Sequence, residues 1–331
     1  MIAFPFNAYL LATISAGLIT WTSLPLWSRL CRRLGLVDDP GHRKIHDKVM
    51  PLAGGLALIS GLVIPLMVGG LGLSLGGFLA SSPLGSTATS LFSYGFSRRS
   101  LQLTVLVAGA IGMLVLGLLD DRHELGPLPK FAGQFLIAGV VASSGIRITL
   151  FVHNELFSLA VTILWILAVT NAFNFMDNMN GLCAGLGLMA AWSFAWTAAI
   201  NGQFLVASIC FLVSGALLGF LPHNFPRADS FLGDAGSHLV GYLCAVLAIL
   251  PSFYTGANQE GLAVLKPVLI LGVVLGDMAW VVILRWRLGR PIYIGDTNHL
   301  SHRLVRRGFS KTRAVLLIWL VGSVFAFLAF L

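Results

Sequence analysis

Long apolar stretches alternate with short polar ones along nearly the whole chain. Ten windows, roughly 6–27, 52–73, 101–119, 131–149, 157–173, 182–200, 204–221, 236–251, 263–284 and 313–331, are almost free of charge. Each is close to the length of about 17–25 residues that a helix needs to cross hydrocarbon. Periodicity inside each window is weak, as in helices packed on other helices. Strands of a membrane barrel would alternate and be much shorter. The pattern predicts an all-α integral membrane protein with about ten transmembrane helices, forming a single polytopic domain over 1–331. The polar interruptions are unusual. One of them, NAFNFMDNMNG at 171–181, sets four asparagines and an aspartate between two apolar windows.

Composition agrees: 57% of the residues are hydrophobic and 10% charged, against about 25% charged in soluble domains. The net charge of +8 raises the question of nucleic acid, and position answers it. With ten spans and both termini outside, the loops 28–51, 120–130, 171–181, 222–235 and 285–312 share one side. All 21 Lys and Arg except Arg98, Arg99, Arg147 and Lys266 fall in those loops or at the start of the last span. Basic residues concentrate on the cytoplasmic side, so the excess reports topology, N-out and C-out, and no nucleic-acid partner is expected. Cys31, Cys183, Cys210 and Cys244 have no paired spacing and read as small packing residues. No Lys or Arg precedes Arg29, so the N-terminus reads as a retained first helix rather than a signal peptide. The Ser/Gly-rich stretch 74–100 reads as an external loop.

Eleven of the thirteen acids fall on the same cytoplasmic side, leaving Glu155 and Glu260 outside. Topology does not require this, because acids contribute little to orientation. Four polar stretches there combine acids with glycine, amide or histidine: 36–55, 117–134, 171–181 and 222–241, the last followed by 295–308. Carboxylate and amide oxygens suit Mg²⁺, which usually takes one or two protein carboxylates plus substrate phosphates, and nearby Lys, Arg and His hold phosphate oxygens. Each signal has a structural alternative. Asp120 and Asp121 can end a helix, Asn171 and Asn174 can join helices, Asp234 can cap the eighth helix, and Asp277 can be a buried structural partner instead of a functional intramembrane acid. His299 and His302, among Arg303, Arg306 and Arg307, can form an anionic-lipid patch. Convergence on one face favours a site.

The ordered segments LVDDPGHRKIH with a following P..GG, LLDD....L....K, NAFNFMDNMNGL.AG, FLGDAGS and D..HLSHRL...G cover about 36–308. In that order they resemble the polyprenyl-phosphate N-acetylhexosamine-1-phosphate transferases. Among these the chain is most similar to the bacterial undecaprenyl-phosphate N-acetylglucosamine-1-phosphate enzymes that start O-antigen, common-antigen and teichoic-acid synthesis. It is less similar to phospho-N-acetylmuramoyl-pentapeptide transferase, whose last loop has three adjacent histidines. The resemblance implies transfer of sugar-1-phosphate from a UDP-sugar to polyprenyl phosphate, releasing UMP, in a bacterial inner membrane. It implies Mg²⁺, with Mn²⁺ as a substitute, and a homodimer.

Residue by residue, the resemblance makes Asp234 and Asn174 the metal positions. Asp120, Asp121 and Asp177 match the catalytic aspartates, and His299 and His302 match the histidine loop at the diphosphate. Asn224 and Phe231 face uracil, with Asn171 and Asn180 in the same nucleotide wall. Lys44 lies by the nucleotide, and Lys130, Arg303 and His46 by the phosphates. The chain departs from its relatives at Asn180, where most have aspartate, and at Ser301, where many have a third histidine. A transporter using intramembrane carboxylates would place acids near mid-membrane in several helices and show an internal repeat, and neither is present. A catalytically dead assembly partner would not need Asp120, Asp121, Asp177 and Asp234 together.

Overall fold

The computed structural model describes residues 3–38, 49–74, 85–150, 152, 154–251, 253, 261–293 and 296–331. Each of the ten expected segments is helical. In chain order the helices are α1 (Phe6–Leu34), α2 (Gly54–Ser74), α3 (Gly85–His123), α4 (Pro127–Ser143), α5 (Glu155–Met176), α6 (Leu182–Ile200), α7 (Phe204–Phe220), α8 (Gly233–Leu247), α9 (Lys266–Ile270), α10 (Gly272–Arg287), α11 (Leu300–Arg306) and α12 (Lys311–Leu328). Among the described residues seven helices are long and apolar enough to cross a membrane, or eight with the α9–α10 pair taken as one span. The chain is therefore a multi-pass all-α membrane protein. The expected tally of ten includes α4 and α8, which have only 17 and 15 residues.

The short length of α8 follows from its place. Residues 235–247 are buried without exception, and α2, α3, α5 and α6 surround the helix. A helix that meets protein on all sides need not match the thickness of the bilayer. Its first turns carry Asp234, Ser237 and His238 and the rest is largely apolar, so its burial on every side comes from its central position and not from an all-apolar sequence. The Tyr242 hydroxyl is satisfied inside, donating to the Leu106 carbonyl at 3.1 Å, whereas His238 Nδ1 is buried without a hydrogen-bond partner among the described residues.

Three features differ from the sequence expectation. Part of the stretch expected as an external loop is helix: α3 begins at Gly85 and continues into the third span through a kink at Arg99 (φ −115°, ψ 17°). The ninth segment is broken, with the flanking helices bent by 71° at Leu271, whose φ −91° and ψ 9° are not helical. A two-stranded antiparallel ladder, β1 (Val37–Asp38) with β2 (Met50–Pro51), closes the base of the first polar loop. Two residues per strand are too few for any alternation to show.

The approach of α3 to α8 sets the position of everything that follows. At Gly117 a Cβ would fall 2.4 Å from the backbone of Ala235, so only glycine lets the two backbones touch. Gly117→Ala should force the helices apart and cost about 1–3 kcal/mol. Gly139→Ala meets nothing within 4 Å and should leave stability unchanged. Thermal unfolding of the two variants in the same detergent checks the pair.

Candidate active site

Where α3 ends, its last acids meet the start of α8. The Asp121 carboxylate accepts the backbone N–H of Asp234 (2.7 Å) and of Ala235 (3.1 Å). Asp121 thus caps α8 from another helix, the task that the sequence allowed to Asp234. The first N–H groups of a helix have no partner within it, and a buried end cannot turn to water. Gly233, at φ +67°, makes room: a Cβ there would sit 2.7 Å from Asp121 Oδ2.

Capping by Asp121 leaves Asp234 facing Lys130 and Asn174. The Lys130 ammonium lies 2.5 Å from Asp120 Oδ2 and 3.1 Å from Asp234 Oδ2. The other oxygen of Asp120 accepts the Leu125 N–H at 2.9 Å, so this buried carboxylate is engaged at both ends. Asn174 Nδ2 donates to Asp234 Oδ1 at 2.6 Å and to Ser237 Oγ at 2.9 Å. One turn beyond Lys130 on α4, buried Gln134 receives the Asn171 amide at 2.6 Å and lies 3.3 Å from the His238 ring.

The polar loop after α5 forms the next wall. Asp177 ends α5, and its carboxylate makes no hydrogen bond or ion pair among the described residues. Loss of water, with the negative charges of Asp234 and Asp121 nearby, pushes its carboxyl up to about 8. Asn180 Nδ2 reaches the Pro226 carbonyl at 3.5 Å. The Asn224 side chain accepts the Gly181 N–H at 2.6 Å and donates to the Ser230 carbonyl at 2.9 Å. Phe231 is held by its backbone, which donates to Pro51 and accepts from Gly54, both at 3.0 Å.

A third wall comes from the chain after α10. His299 Nδ1 lies 2.6 Å from Asp277 Oδ2, and Asp277 Oδ1 accepts the Leu300 N–H at 2.6 Å. Asp277 is therefore the structural partner that anchors the start of α11. Buried Arg285 reaches Asp296 at 2.9 Å and lies over the Phe175 ring at 5.2 Å. Burial opposes ionisation of Asp296, but hydrogen bonds from Arg285 and Asn298 win and hold its carboxyl at about 2. Burial first, then the nearby His299 and Arg306, lowers the pKa of His302.

These walls enclose an open cleft of about 1960 Å³. At one end stand Asp120, Asp121, Lys130, Asn174, Asp177 and Asp234. Asn171, Asn180, Asn224, Phe231 and His302 also line it. The far wall is apolar, with Leu164, Leu167 and Ala168 of α5 and Met278 and Val282 of α10. Several residues differ from their expected places. The two ends of the Asn224 amide are spent inside the protein, which makes it a loop tie rather than a free edge for a base. The Asn171 amide is committed to Gln134 and to the Leu167 carbonyl. His299 is buried against Asp277, off the cleft wall. Arg303 lies over the Trp280 ring at 4.7 Å and does not line the cleft. Lys44 and His46 lie outside the described residues.

Sequence reasoning passed over Gln134, Arg285 and Lys311, the last of which also lines the cleft. Gln134 was findable: it stands four residues after Lys130, on the same helix face, inside an apolar window. Arg285 gave no signal, since it entered only as one more cytoplasmic charge.

Comparison with known proteins gives a consistent family. The profile described as glycosyl transferase family 4 matches residues 103–252. The chain is 33% identical over 327 residues to the probable undecaprenyl-phosphate N-acetylglucosaminyl 1-phosphate transferase of Bacillus subtilis, covering 96% of this chain and 82% of that one. It is 34% identical over 349 residues to the decaprenyl-phosphate N-acetylglucosaminephosphotransferase of Mycobacterium tuberculosis, covering 98% and 82%. With the undecaprenyl-phosphate alpha-N-acetylglucosaminyl 1-phosphate transferase of Escherichia coli it shares 26% over 342 residues, covering 96% and 83%.

The Lys130 bridge gives a stability prediction. Lys130→Met strands the buried Asp120 carboxylate and should cost about 3–5 kcal/mol. Adding Asp120→Asn removes the stranded charge and should recover part of that loss. Denaturation midpoints of the single and double variants read this directly.

Proposed function

The chain belongs to glycosyl transferase family 4, and from that membership we propose that it transfers N-acetylglucosamine 1-phosphate from a UDP-linked donor to a polyprenyl phosphate, releasing UMP. The observation that carries this reading is the two-sided cleft: acids, amides and a lysine at one end, an apolar wall of α5 and α10 at the other. A water-soluble diphosphate donor suits the first and an isoprenoid chain the second. The names of the relatives supply the sugar and the lipid class. Ten spans, N-out and C-out, with the cleft on the cytoplasmic side of a bacterial inner membrane, complete the proposal. Basic residues support this orientation, because Arg32 and Arg33 end α1, Arg122 ends α3, and Arg285 and Arg287 end α10.

In the reaction an oxygen of the lipid phosphate attacks the phosphorus that bears the sugar, and the bond from that phosphorus to the UMP oxygen breaks. Positioning and neutralisation of charge do most of the work in phosphoryl transfer. Lys130, fixed by Asp120 and Asp234, presents a cation to the phosphates. Asp121 acts through α8, holding Asp234 in place. Asp177, the carboxyl without a partner among the described residues, holds its proton up to about 8 and is the group free to exchange one.

Mg²⁺ or Mn²⁺, when bound, would neutralise charge on the diphosphate. Asp234 and Asn174 are the oxygen donors that would hold it, Asn174 after turning its oxygen toward Asp234. An unpartnered Asp177 beside two further carboxylates leaves this end short of positive charge, which fits a cation. Among the described residues no three His, Cys, Asp or Glu side chains form a metal-binding group. That suits an ion that takes one or two protein carboxylates and finds its other ligands in water and phosphate.

Purified protein given polyprenyl phosphate and a panel of UDP-sugars should release UMP with UDP-N-acetylglucosamine and not with the muramoyl-pentapeptide donor. Asp234→Asn should lower turnover by about a hundredfold or more. No UMP with any UDP-sugar would overturn the proposal. Cation affinity should also depend on pH. Below about 8 Asp177 carries a proton, and a cation bound nearby favours its ionised form, so affinity should rise with pH toward that value and level off above it. Asp177→Asn should flatten the profile. Calorimetry with Mn²⁺ in buffers of different ionisation heat counts the proton released.

A further inference from the structure

Ser301 stands where the resemblance puts a histidine in many relatives, and a serine there reads as the loss of a cation from a phosphate loop. The structure gives it another role. Ser301 is 0% exposed, and its hydroxyl donates to Asn178 Oδ1 at 2.6 Å. The other end of that amide donates to the Phe175 carbonyl at 2.6 Å, close to the end of α5. Asn178 stands in the wall of the cleft, but both ends of its amide are already engaged inside the protein. It joins the polar loop after α5 to α11, two segments separated by 123 residues.

We propose that the Ser301–Asn178 hydrogen bond is a positioning element that fixes the donor end of the cleft. The neighbours of both residues face the cleft: Asp177, Met179 and Asn180 on one side of the bond, His302 on the other. Other anchors of α11 run to α10, through His299 and the Leu300 N–H to Asp277, and the His299 ring meets Phe175 of α5 edge-on at 5.6 Å. Asn224 holds the far end of the polar loop by accepting the Gly181 N–H. The loop is thus clamped between Asn224 and Ser301, and among the described residues the Ser301 bond is the hydrogen bond that ties α11, with His302, to the segment carrying Asn180. The apolar wall at Leu164, Leu167 and Ala168 lies further back along α5. A fault in the clamp should therefore be felt by the UDP-sugar and not by the lipid. Ser301 is off the cleft wall and touches no reacting atom in this account; it acts through Asn178, Asn180 and His302.

This inference rests on the proposed transferase reaction for its assay. Ser301→Ala and Asn178→Ala should each raise the KM for UDP-N-acetylglucosamine by about 3–10-fold, the range expected for one lost hydrogen bond. Turnover at saturation and the KM for polyprenyl phosphate should stay within about twofold, within the scatter of such measurements. The double variant should be no worse than the poorer single one, because both remove the same bond. Multiplied losses in the double variant, an equal rise in the lipid KM, or an unchanged donor KM would overturn the proposal. So would a fall in melting temperature that accounts for the whole loss of activity. Absence of UMP release from the unmodified protein would instead defeat the transferase reading, so the two failures are told apart by the wild-type lane.

Discussion

The grip of Asp121 on the first turn of α8 is the constraint on which the rest of the site depends. A helix surrounded by protein cannot send its unpaired N–H groups to water. An anionic oxygen is the strongest partner available for them. By supplying it from α3, the fold ties its central helix to a neighbour at the level where the chemistry is arranged. Asp234 leaves that first turn with its side chain free of capping duty. Lys130 can then stand between Asp234 and Asp120, and Asn174 can reach Asp234 from α5.

Charge at the edge of a membrane is tolerated only when it is matched. Asp120 is paired with Lys130, Asp277 with His299, and Arg285 with Asp296 and the face of Phe175. Each pair also fixes a piece of backbone: the turn at Leu125, the start of α11 and the loop beyond α10. Among the described residues the Asp177 carboxyl has no such partner, and loss of water beside Asp234 and Asp121 keeps its proton on up to about 8.

Much of the architecture was visible in the alternation of apolar windows and polar gaps. Hydrophobic length is a strong signal, and the positions of Lys and Arg add orientation to it. The gathering of Asp120, Asp121, Asn174, Asp177 and Asp234 was also visible, because they lie at the ends of windows on one side. The uses of individual amides were less so. Asn224 and Asn180 both line the cleft, yet both ends of the Asn224 amide are consumed by Gly181 and Ser230 while Asn180 makes one long bond, to the Pro226 carbonyl at 3.5 Å. Which of the two happens depends on neighbours more than forty residues away. Burial of Arg285 and His299 depends likewise on α10 and the segment after it folding onto α5. The kink at Arg99 falls in the polar run at 97–100, and the break at Leu271 lies four residues after Pro267 and just before Gly272, but neither mark gives the size or direction of the bend.

The break at Leu271 has a mechanical side. Beyond it α10 runs for 16 residues, an arm of roughly 24 Å. Asp277 fastens α11 to that arm, so α11 travels with it. A rotation of about 5° at the break moves the far end by about 2 Å, as the length of the arm requires. Such a rotation would shift Met278, roughly 10 Å from the break, by only about 1 Å, and would carry His302 along with α11. A small adjustment deep in the bundle would thereby change the aperture of the cleft.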